Sequence, residues 1–403
     1  MENTKVKIWE IIKLVGYGIV IGIVAGLLDT IFGKGLTLVT GIREQYSVWL
    51  LPFLAPIGVF IIWSLEKFGG NSKQGMGLVF KVGHGSEKEI PLRLIPFVTI
   101  GTWLTHLFGG SAGREGVAVQ LGATCSHIIE KMTRKEENVE RTKLFLVAGM
   151  AAGFSGLFGT PFAALLFALE VLVVGAIHYE ALFLAFSASF TASYVTKICG
   201  LEHFSYHLNT STTLDWNLFF ILIFLGSIFG IVGGSFAFLL KKLKQILPTV
   251  RGMSDPKFRI FYGGLLLTLI LFVLEKGRYS GLGTNFIHFA FYESEQLHNY
   301  DWLLKLLLTV FTLALGYLGG EVTPLFSIGA SLGAIVAPFV GIPVVLGAAL
   351  GYVGVFGGAT NTFFAPIFIG GEIFGFEYIP YFFIVCVMGK IISGTHTIYG
   401  EQK

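Results

Sequence analysis

Long runs of apolar residues, separated by short polar stretches, dominate the pattern of this chain. A helix needs about 20 consecutive apolar residues to cross the hydrocarbon core of a bilayer. Seven runs of about that length predict full membrane-spanning helices: 9–32, 47–66, 91–108, 178–198, 216–240, 258–275 and 302–319. Composition agrees, because 54% of the 403 residues are hydrophobic and only 13% are charged, whereas soluble domains carry about 25% charged residues. We therefore expect an all-α, multi-pass protein of the lipid bilayer.

Shorter apolar segments lie between these runs, and glycine or proline interrupts them. They are 75–80, 115–129, 144–158, 161–174, 323–339, 343–356 and 361–374. Broken helices in corresponding positions of two halves are typical of inverted-repeat transporters with an ion site near the middle of the membrane. The pattern therefore favours a transporter over a simple bundle of full-length helices.

An internal repeat supports this interpretation. The blocks 149–170 and 351–372 align without gaps and share seven residues: Gly149/Gly351, Phe154/Phe356, Gly156/Gly358, Thr160/Thr362, Phe162/Phe364, Ala163/Ala365 and Glu170/Glu372. Chance similarity between apolar, Gly-rich segments is the alternative. The repeat predicts two inverted halves, residues 1–200 and 201–403. The paired glutamates lie at the ends of matching helices, where a capping role is favoured over transport.

Charge gives the orientation and excludes some partners. Lys and Arg are concentrated in stretches such as 131–143 and 241–259, whereas 201–215 contains neither. The positive-inside rule therefore predicts a cytoplasmic N-terminus in the cell (plasma or inner) membrane. A net charge of +3 without basic runs interleaved with aromatics argues against a nucleic-acid partner. The three cysteines lack metal-ligand spacing, so no metal or cofactor is expected.

Two serine motifs raise the alternative of an intramembrane enzyme. They are the stretch 153–156, GFSG, and the stretch 109–113, GGSAG. A serine nucleophile needs a base within hydrogen-bond reach, and a nucleophile elbow needs a preceding strand. No histidine lies in a matching motif to serve as the base, and the pattern before each serine predicts a helix and not a strand. We therefore expect no enzymatic activity.

Three glycine-rich stretches each begin an apolar helix. They read QGMGL at 74–78, GREGV at 113–117 and GGEVTP at 319–324. A helix N-terminus carries about +0.5 of a charge and several unpaired N–H donors, and glycine lets an ion approach them. At about 4 Å and a dielectric near 20, each end attracts an anion by roughly 2 kcal/mol. This attraction suits an anion pathway, because it offsets desolvation without trapping the ion.

Glu115 is the most informative residue of these stretches. A carboxylate at membrane depth costs about 2.5–3.5 kcal/mol and is a functional candidate by default. When ionised it can occupy the N–H donors that would hold an anion, and when protonated it loses that attraction. Proton and anion would then compete for one place. The alternative is a structural ion pair with Arg114.

These motifs resemble those of the CLC superfamily of chloride channels and proton-coupled anion antiporters. GREGV is similar to that family's GREGP, GGEVTP to its GxFxP and QGMGL to its GSGIP, and Tyr399 resembles its anion-contacting tyrosine. The resemblance implies a CLC-type inverted-repeat fold of about 16–17 helical segments, many of them tilted or broken. It implies Glu115 as the gating and proton-carrying glutamate. It also implies an anion site, whose residues would be Gly75, Met76, Gly77, Glu115, Gly116, Val322, Thr323 and Tyr399.

Departures from the family motifs resemble its bacterial fluoride/proton branch. Met76 stands in place of Ser or Pro, and Val117 and Val322 in place of Pro and Phe. The resemblance implies fluoride export in exchange for proton entry by a homodimer without a cytoplasmic regulatory domain. Val171 aligns with the internal proton-transfer glutamate of chloride antiporters, so Glu321 is the expected substitute. A chloride/proton antiporter or a passive anion channel remains the alternative.

Overall fold

The computed structural model describes residues 2–134, 136–172, 179–210 and 212–402, with side chains from Ile8 onward. Within them lie sixteen α-helices: α1 (Glu2–Leu50), α2 (Leu54–Ser64), α3 (Met76–Gly83), α4 (Leu94–Leu107), α5 (Glu115–Thr133), α6 (Val139–Phe158), α7 (Pro161–Val171), α8 (Leu182–Ile198), α9 (Trp216–Ile246), α10 (Pro256–Val273), α11 (Thr284–Tyr292), α12 (Asp301–Leu315), α13 (Val322–Val340), α14 (Val344–Thr360), α15 (Phe364–Phe374) and α16 (Ile379–Ser393). The expected all-α fold is confirmed. The predicted end of one segment at 174 and the start of another at 178 lie outside the described residues.

Six stretches of the described chain are long and apolar enough to cross a membrane. The runs 91–108 and 302–319, predicted as full spans, instead form helices of 14 and 15 residues, α4 and α12. Gly109 (φ +94°) and Gly316 (φ +108°) follow them in left-handed backbone, which ends a helix. The segment 323–339 matches α13 to within one residue at each end, but α13 is a continuous helix of 19 residues and not a shorter, interrupted piece.

Two further differences concern the helices α2, α11 and α16. The predicted span 47–66 is broken, because α1 continues to Leu50 and a short turn containing Pro52 separates it from the 11-residue α2. Helices α11 and α16 were not predicted at all, although Phe376–Ser393 is one of the six membrane-length stretches.

Glycine contacts join the helices in two matching pairs. A Cβ on Gly122 of α5 would lie 2.1 Å from the carbonyl oxygen of Gly149 in α6. In the second half, a Cβ on Gly329 of α13 would lie 2.0 Å from the carbonyl oxygen of Gly351 in α14. Small residues allow this backbone contact, which is how helices pack tightly in lipid. Helix α5 is therefore packed closely against α6, and α13 against α14.

The repeat blocks also have matching local structure. Gly159 (φ +71°) ends α6, and the aligned Asn361 (φ +58°) ends α14, both in the left-handed region. The Glu372 carboxylate accepts hydrogen bonds from the N–H groups of Phe162 (3.0 Å) and Ala163 (2.9 Å) at the start of α7. In return, the Glu170 carboxylate accepts from the N–H groups at 363 and 364, at the start of α15.

The expected capping role of the two glutamates is thus confirmed, and each caps a helix of the other half. This reciprocity supports the predicted division into halves 1–200 and 201–403, which stays a prediction. Glu170, the residue before Val171, has both carboxylate oxygens engaged in hydrogen bonds at the N-terminus of α15.

Candidate ion site

The loops before α5 and α13 contact each other through main-chain hydrogen bonds. The N–H of Gly113 donates to the carbonyl oxygen of Gly320 (2.5 Å), and the N–H of Gly320 donates to that of Gly113 (2.8 Å). A Cβ on Gly320 would lie 2.8 Å from the main-chain nitrogen of Gly116, in the first turn of α5. Only glycine fits there. The two helix N-termini that the sequence singles out are therefore in direct contact.

Glu115 begins α5 and is only 1% exposed. Its Oε2 accepts hydrogen bonds from the N–H of Thr323 (2.9 Å) and from the N–H of Arg114 (3.1 Å). The hydroxyl of Thr323 donates to its Oε1, which lies 3.7 Å from Nε of Arg114. The carboxylate thus occupies donors at the N-terminus of α13, where an anion was expected to bind.

A cavity of about 320 Å³ lies next to this contact. Six of the predicted site residues line it: Gly75, Met76, Gly77, Gly116, Glu321 and Tyr399. The other three, Glu115, Val322 and Thr323, are not among the lining residues. All three are buried in the protein next to the cavity, and the carboxylate of Glu115 is hydrogen-bonded to the N–H of Thr323. The structure therefore brings the three glycine-rich helix starts together around one cavity, with Glu115 buried beside it.

The conformation of Gly75 suits its place at the start of α3. Its φ of +54° and ψ of −129° lie in a region that residues with a Cβ rarely adopt, so the sharp turn before Met76 requires glycine. The carboxylate of Glu321 lies across from it, with Oε2 3.7 Å from the position that a Cβ on Gly116 would take. A second carboxyl is thus close to the backbone that follows Glu115.

Tyr399 is held in the cavity wall by packing and by its neighbour. Its ring centroid lies 5.6 Å from that of Phe80 and 6.1 Å from that of Phe167. The N–H of Ile398 donates to the carbonyl oxygen of Ala359 (3.0 Å), which ties the segment to the end of α14. This contact places the tyrosine even though it comes only four residues before the end of the sequence.

Several cavity residues were not predicted from the sequence, among them Thr102, Gln120, Lys73, Lys244 and Glu401. Thr102 and Gln120 are buried, and the hydroxyl of the first and Oε1 of the second have no hydrogen-bond partner within the described part of the chain. Gln120 donates its Nε2 to the carbonyl oxygen of Gly116 (2.8 Å), which leaves Oε1 as a free acceptor. Lys73 and Lys244 also line the cavity. Lys244 belongs to the basic stretch 241–259, which served only to orient the chain.

The described residues contain no group of three or more His, Cys, Asp or Glu side chains arranged to hold a metal ion. The site instead offers main-chain N–H donors, hydroxyls, the three carboxyls of Glu115, Glu321 and Glu401 and two cationic side chains, which are suited to an anion and a proton.

Comparisons with known proteins agree with this geometry. The voltage gated chloride channel family matches residues 57–394. The chain is 36% identical over 391 residues to a chloride/fluoride channel protein of Pseudomonas syringae pv. tomato, covering 95% of this chain and 84% of the relative.

Solved structures extend the likeness to the whole fold. A crystal structure of a CLC-type fluoride/proton antiporter is 51% identical, with a TM-score of 0.95 over 98% of both chains. A slow cyanobacterial Cl⁻/H⁺ antiporter has a TM-score of 0.80 over 94% of both chains at 18% identity, which shows the fold alone. The protein is therefore a multi-pass membrane protein that belongs to the voltage gated chloride channel (CLC) family.

Proposed function

We propose that this protein exports fluoride from the cytoplasm in exchange for protons. The observation that carries the proposal is the position of Glu115, whose buried carboxylate occupies the N–H and hydroxyl donors of Thr323 beside a cavity. The 51% identity to a CLC-type fluoride/proton antiporter over nearly the whole chain supports fluoride as the anion and the proton as its counter-substrate.

The exchange follows from competition for the same donors. While Glu115 is ionised, its charge-assisted hydrogen bonds to Thr323 exclude an anion from the N-terminus of α13. Once the carboxyl is protonated, those bonds weaken and the partial positive charge of the helix end attracts fluoride instead. Release of the proton lets the carboxylate displace the anion. One proton site and one anion site therefore alternate.

Glu321 is proposed as the second carboxyl of the proton path. It lines the cavity and approaches the backbone of Gly116, so it can exchange a proton with the region next to Glu115. Glu170 does not offer this route, because its oxygens cap α15.

Lys73 and Lys244 line the same cavity as Glu321 and Glu401, and their ammonium groups offer an entering anion two positive charges. The positive-inside rule predicts that the basic stretch 241–259, which contains Lys244, lies on the cytoplasmic side of the membrane together with the N-terminus. We therefore expect the part of the cavity lined by Lys244 to face the cytoplasm. We place the protein in the cell membrane as a homodimer with one pathway in each subunit, as its family resemblance implies.

Flux measurements on purified protein in liposomes test the proposal. Fluoride efflux should be accompanied by proton uptake, and an inward proton gradient should drive fluoride out against its own gradient. The name of the Pseudomonas syringae relative favours a second candidate, a passive chloride/fluoride channel. Efflux without proton movement would favour that channel, and coupled efflux of chloride at the same rate would favour a chloride/proton antiporter.

A further inference from the structure

A buried lysine outside the cavity contacts the loop 109–113, which precedes Arg114 and Glu115. Lys305, in the second turn of α12, is completely buried. Its Nζ donates three hydrogen bonds: to Oγ of Ser111 (2.8 Å), to the carbonyl oxygen of Gly281 (2.6 Å) and to that of Tyr279 (3.1 Å). All three acceptors are uncharged. An ammonium buried in this way is costly unless each N–H is satisfied, and here each one is.

The acceptors belong to two loops that are also joined to each other. Ser111 lies in the loop 109–113 before α5, and Gly281 lies in the loop before α11. The N–H of Gly281 donates to the carbonyl oxygen of Gly110 (2.9 Å), and the N–H of Ala112 donates to that of Gly281 (3.2 Å). A single nitrogen atom of α12 thus holds together two loops from opposite halves of the chain.

Other buried groups fix the same loop from the remaining sides. Oγ of Ser111 is also 2.8 Å from the hydroxyl oxygen of Thr309, one turn after Lys305. Nε2 of His106 lies 3.0 Å from the carbonyl oxygen of Ala112, so the ring can donate to it. His106, Ser111 and Thr309 are all completely buried. The loop is therefore attached to α4 and α12 by side chains, immediately before Gly113 pairs with Gly320.

We infer that Lys305 is a positioning residue for the gate: by fixing Ser111 and Gly281, it keeps the start of α5 where the Glu115 carboxylate reaches Thr323. The inference rests on the proposed function of Glu115. Without the three hydrogen bonds, the loop gains freedom, the carboxylate no longer closes the N-terminus of α13 reliably, and fluoride passes without a proton. The effect should therefore appear in coupling rather than only in the amount of active protein.

The test compares two substitutions of similar size in reconstituted full-length protein. Lys305→Met removes every donor, whereas Lys305→Gln removes the charge but keeps two N–H donors. In liposomes, Lys305→Met should release at least about two-fold more fluoride per proton than wild type, since misplacing a reacting group by about 1 Å changes rates by much larger factors. Lys305→Gln should retain most of the coupling. Equal loss in both variants, or wild-type coupling in a folded Lys305→Met, would overturn the inference.

Two further variants make the result decisive. Ser111→Ala leaves the lysine in place and removes one acceptor, so it should shift the ratio in the same direction by a smaller factor. If Lys305→Met fails to fold, an unchanged ratio in Ser111→Ala overturns the inference instead. Lys390→Met is the control, because Lys390 is half-buried and, like Lys305, donates to a main-chain oxygen, that of Asn361 (2.7 Å), away from the loop. Its ratio should remain that of wild type.

Glu115→Gln, measured in parallel, separates the two proposals. If that variant keeps wild-type coupling, the proposed function fails. If it loses coupling while Lys305→Met keeps it, only the positioning role of Lys305 fails.

Discussion

At the scale of single residues, the central feature is a carboxylate that mimics an anion. Glu115 makes hydrogen bonds with N–H groups and a hydroxyl, which are the donors that fluoride would use. We expect fluoride to bind first in the part of the cavity lined by Met76, and then to take the place of the Glu115 carboxylate. Glu115 and Met76 can be substituted one at a time, so their roles can be tested separately.

Glu115→Gln should uncouple or stop transport. The amide keeps the shape of the side chain but cannot alternate between a charged and a protonated state. Any remaining fluoride efflux should be insensitive to a pH gradient, whereas wild-type efflux should increase as the receiving side becomes more acidic. Fluoride-electrode and pH-electrode recordings on the same liposomes give both fluxes. Glu137→Gln, at a side chain that is 76% exposed, is the control. Normal coupling in Glu115→Gln would refute the assignment.

Met76→Ser should weaken discrimination against chloride. Serine restores a hydroxyl donor, which a larger, less strongly hydrated anion can use as well as fluoride can. The ratio of fluoride to chloride flux in liposomes measures this change. Met132→Ser, at a residue that is 81% exposed, should leave the ratio unchanged. An unaltered ratio in Met76→Ser would remove Met76 from the selectivity site.

At the scale of elements, local signals predicted helix starts better than helix lengths. The glycines at 75, 113 and 320 are recognisable because close backbone approach needs them, and all three do precede helices. The length of α12 depends on the left-handed Gly316, which the predicted run 302–319 included, and α4 begins at Leu94, three residues after the start of the predicted run 91–108.

Contacts between distant residues could not be derived from the sequence in the same way. Thr323 lies 208 residues after Glu115, and their pairing depends on how α5 and α13 pack. Thr102 and Gln120 resemble ordinary helical residues until the cavity is known. The resemblance to a family identified most of the site residues, whereas the unpartnered acceptors and Lys305 came only from the packed structure.

Gly329→Ala should destabilise the protein strongly. The new methyl would lie 2.0 Å from the carbonyl oxygen of Gly351, so α13 and α14 would have to separate. Such overpacking typically costs about 1–3 kcal/mol. Thermal unfolding in detergent should show a clear decrease in Tm. Gly41→Ala, in α1, is the control, because its methyl would have no heavy atom within 4 Å. Equal Tm values for both variants would contradict the helix contact.

Glu372→Ala should also lower stability, by about 1.5–3 kcal/mol, because it removes charge-assisted hydrogen bonds to two N–H groups of α7. The same unfolding assay applies. Glu377→Ala changes an exposed glutamate five residues later and should have little effect. A Tm for Glu372→Ala equal to that of Glu377→Ala would show that the capping contact contributes nothing measurable.

At the scale of the whole molecule, the two halves depend on each other. Each half caps a helix of the other through Glu170 or Glu372, and Lys305 joins a loop of the first half to a helix of the second. The pathway is formed by both halves within one chain, so a single subunit contains every residue assigned to transport.

A homodimer should therefore contain two independent pathways. Light scattering of the detergent-purified protein should give twice the mass of the 403-residue chain. In liposomes holding mixed dimers of wild-type and Glu115→Gln subunits, about half of the pathways should keep coupled flux. A monomeric mass, or complete loss of coupling in mixed dimers, would contradict this arrangement.

The paired loops at Gly113 and Gly320 limit how the gate can open. Two main-chain hydrogen bonds join the loops that lead into α5 and α13, and there is no space there for even one methyl group. Separating the helices would break both hydrogen bonds and the close backbone contact between Gly320 and Gly116. Turnover is therefore expected to depend on torsion about the side-chain bonds of one glutamate, while the surrounding backbone stays still throughout the cycle.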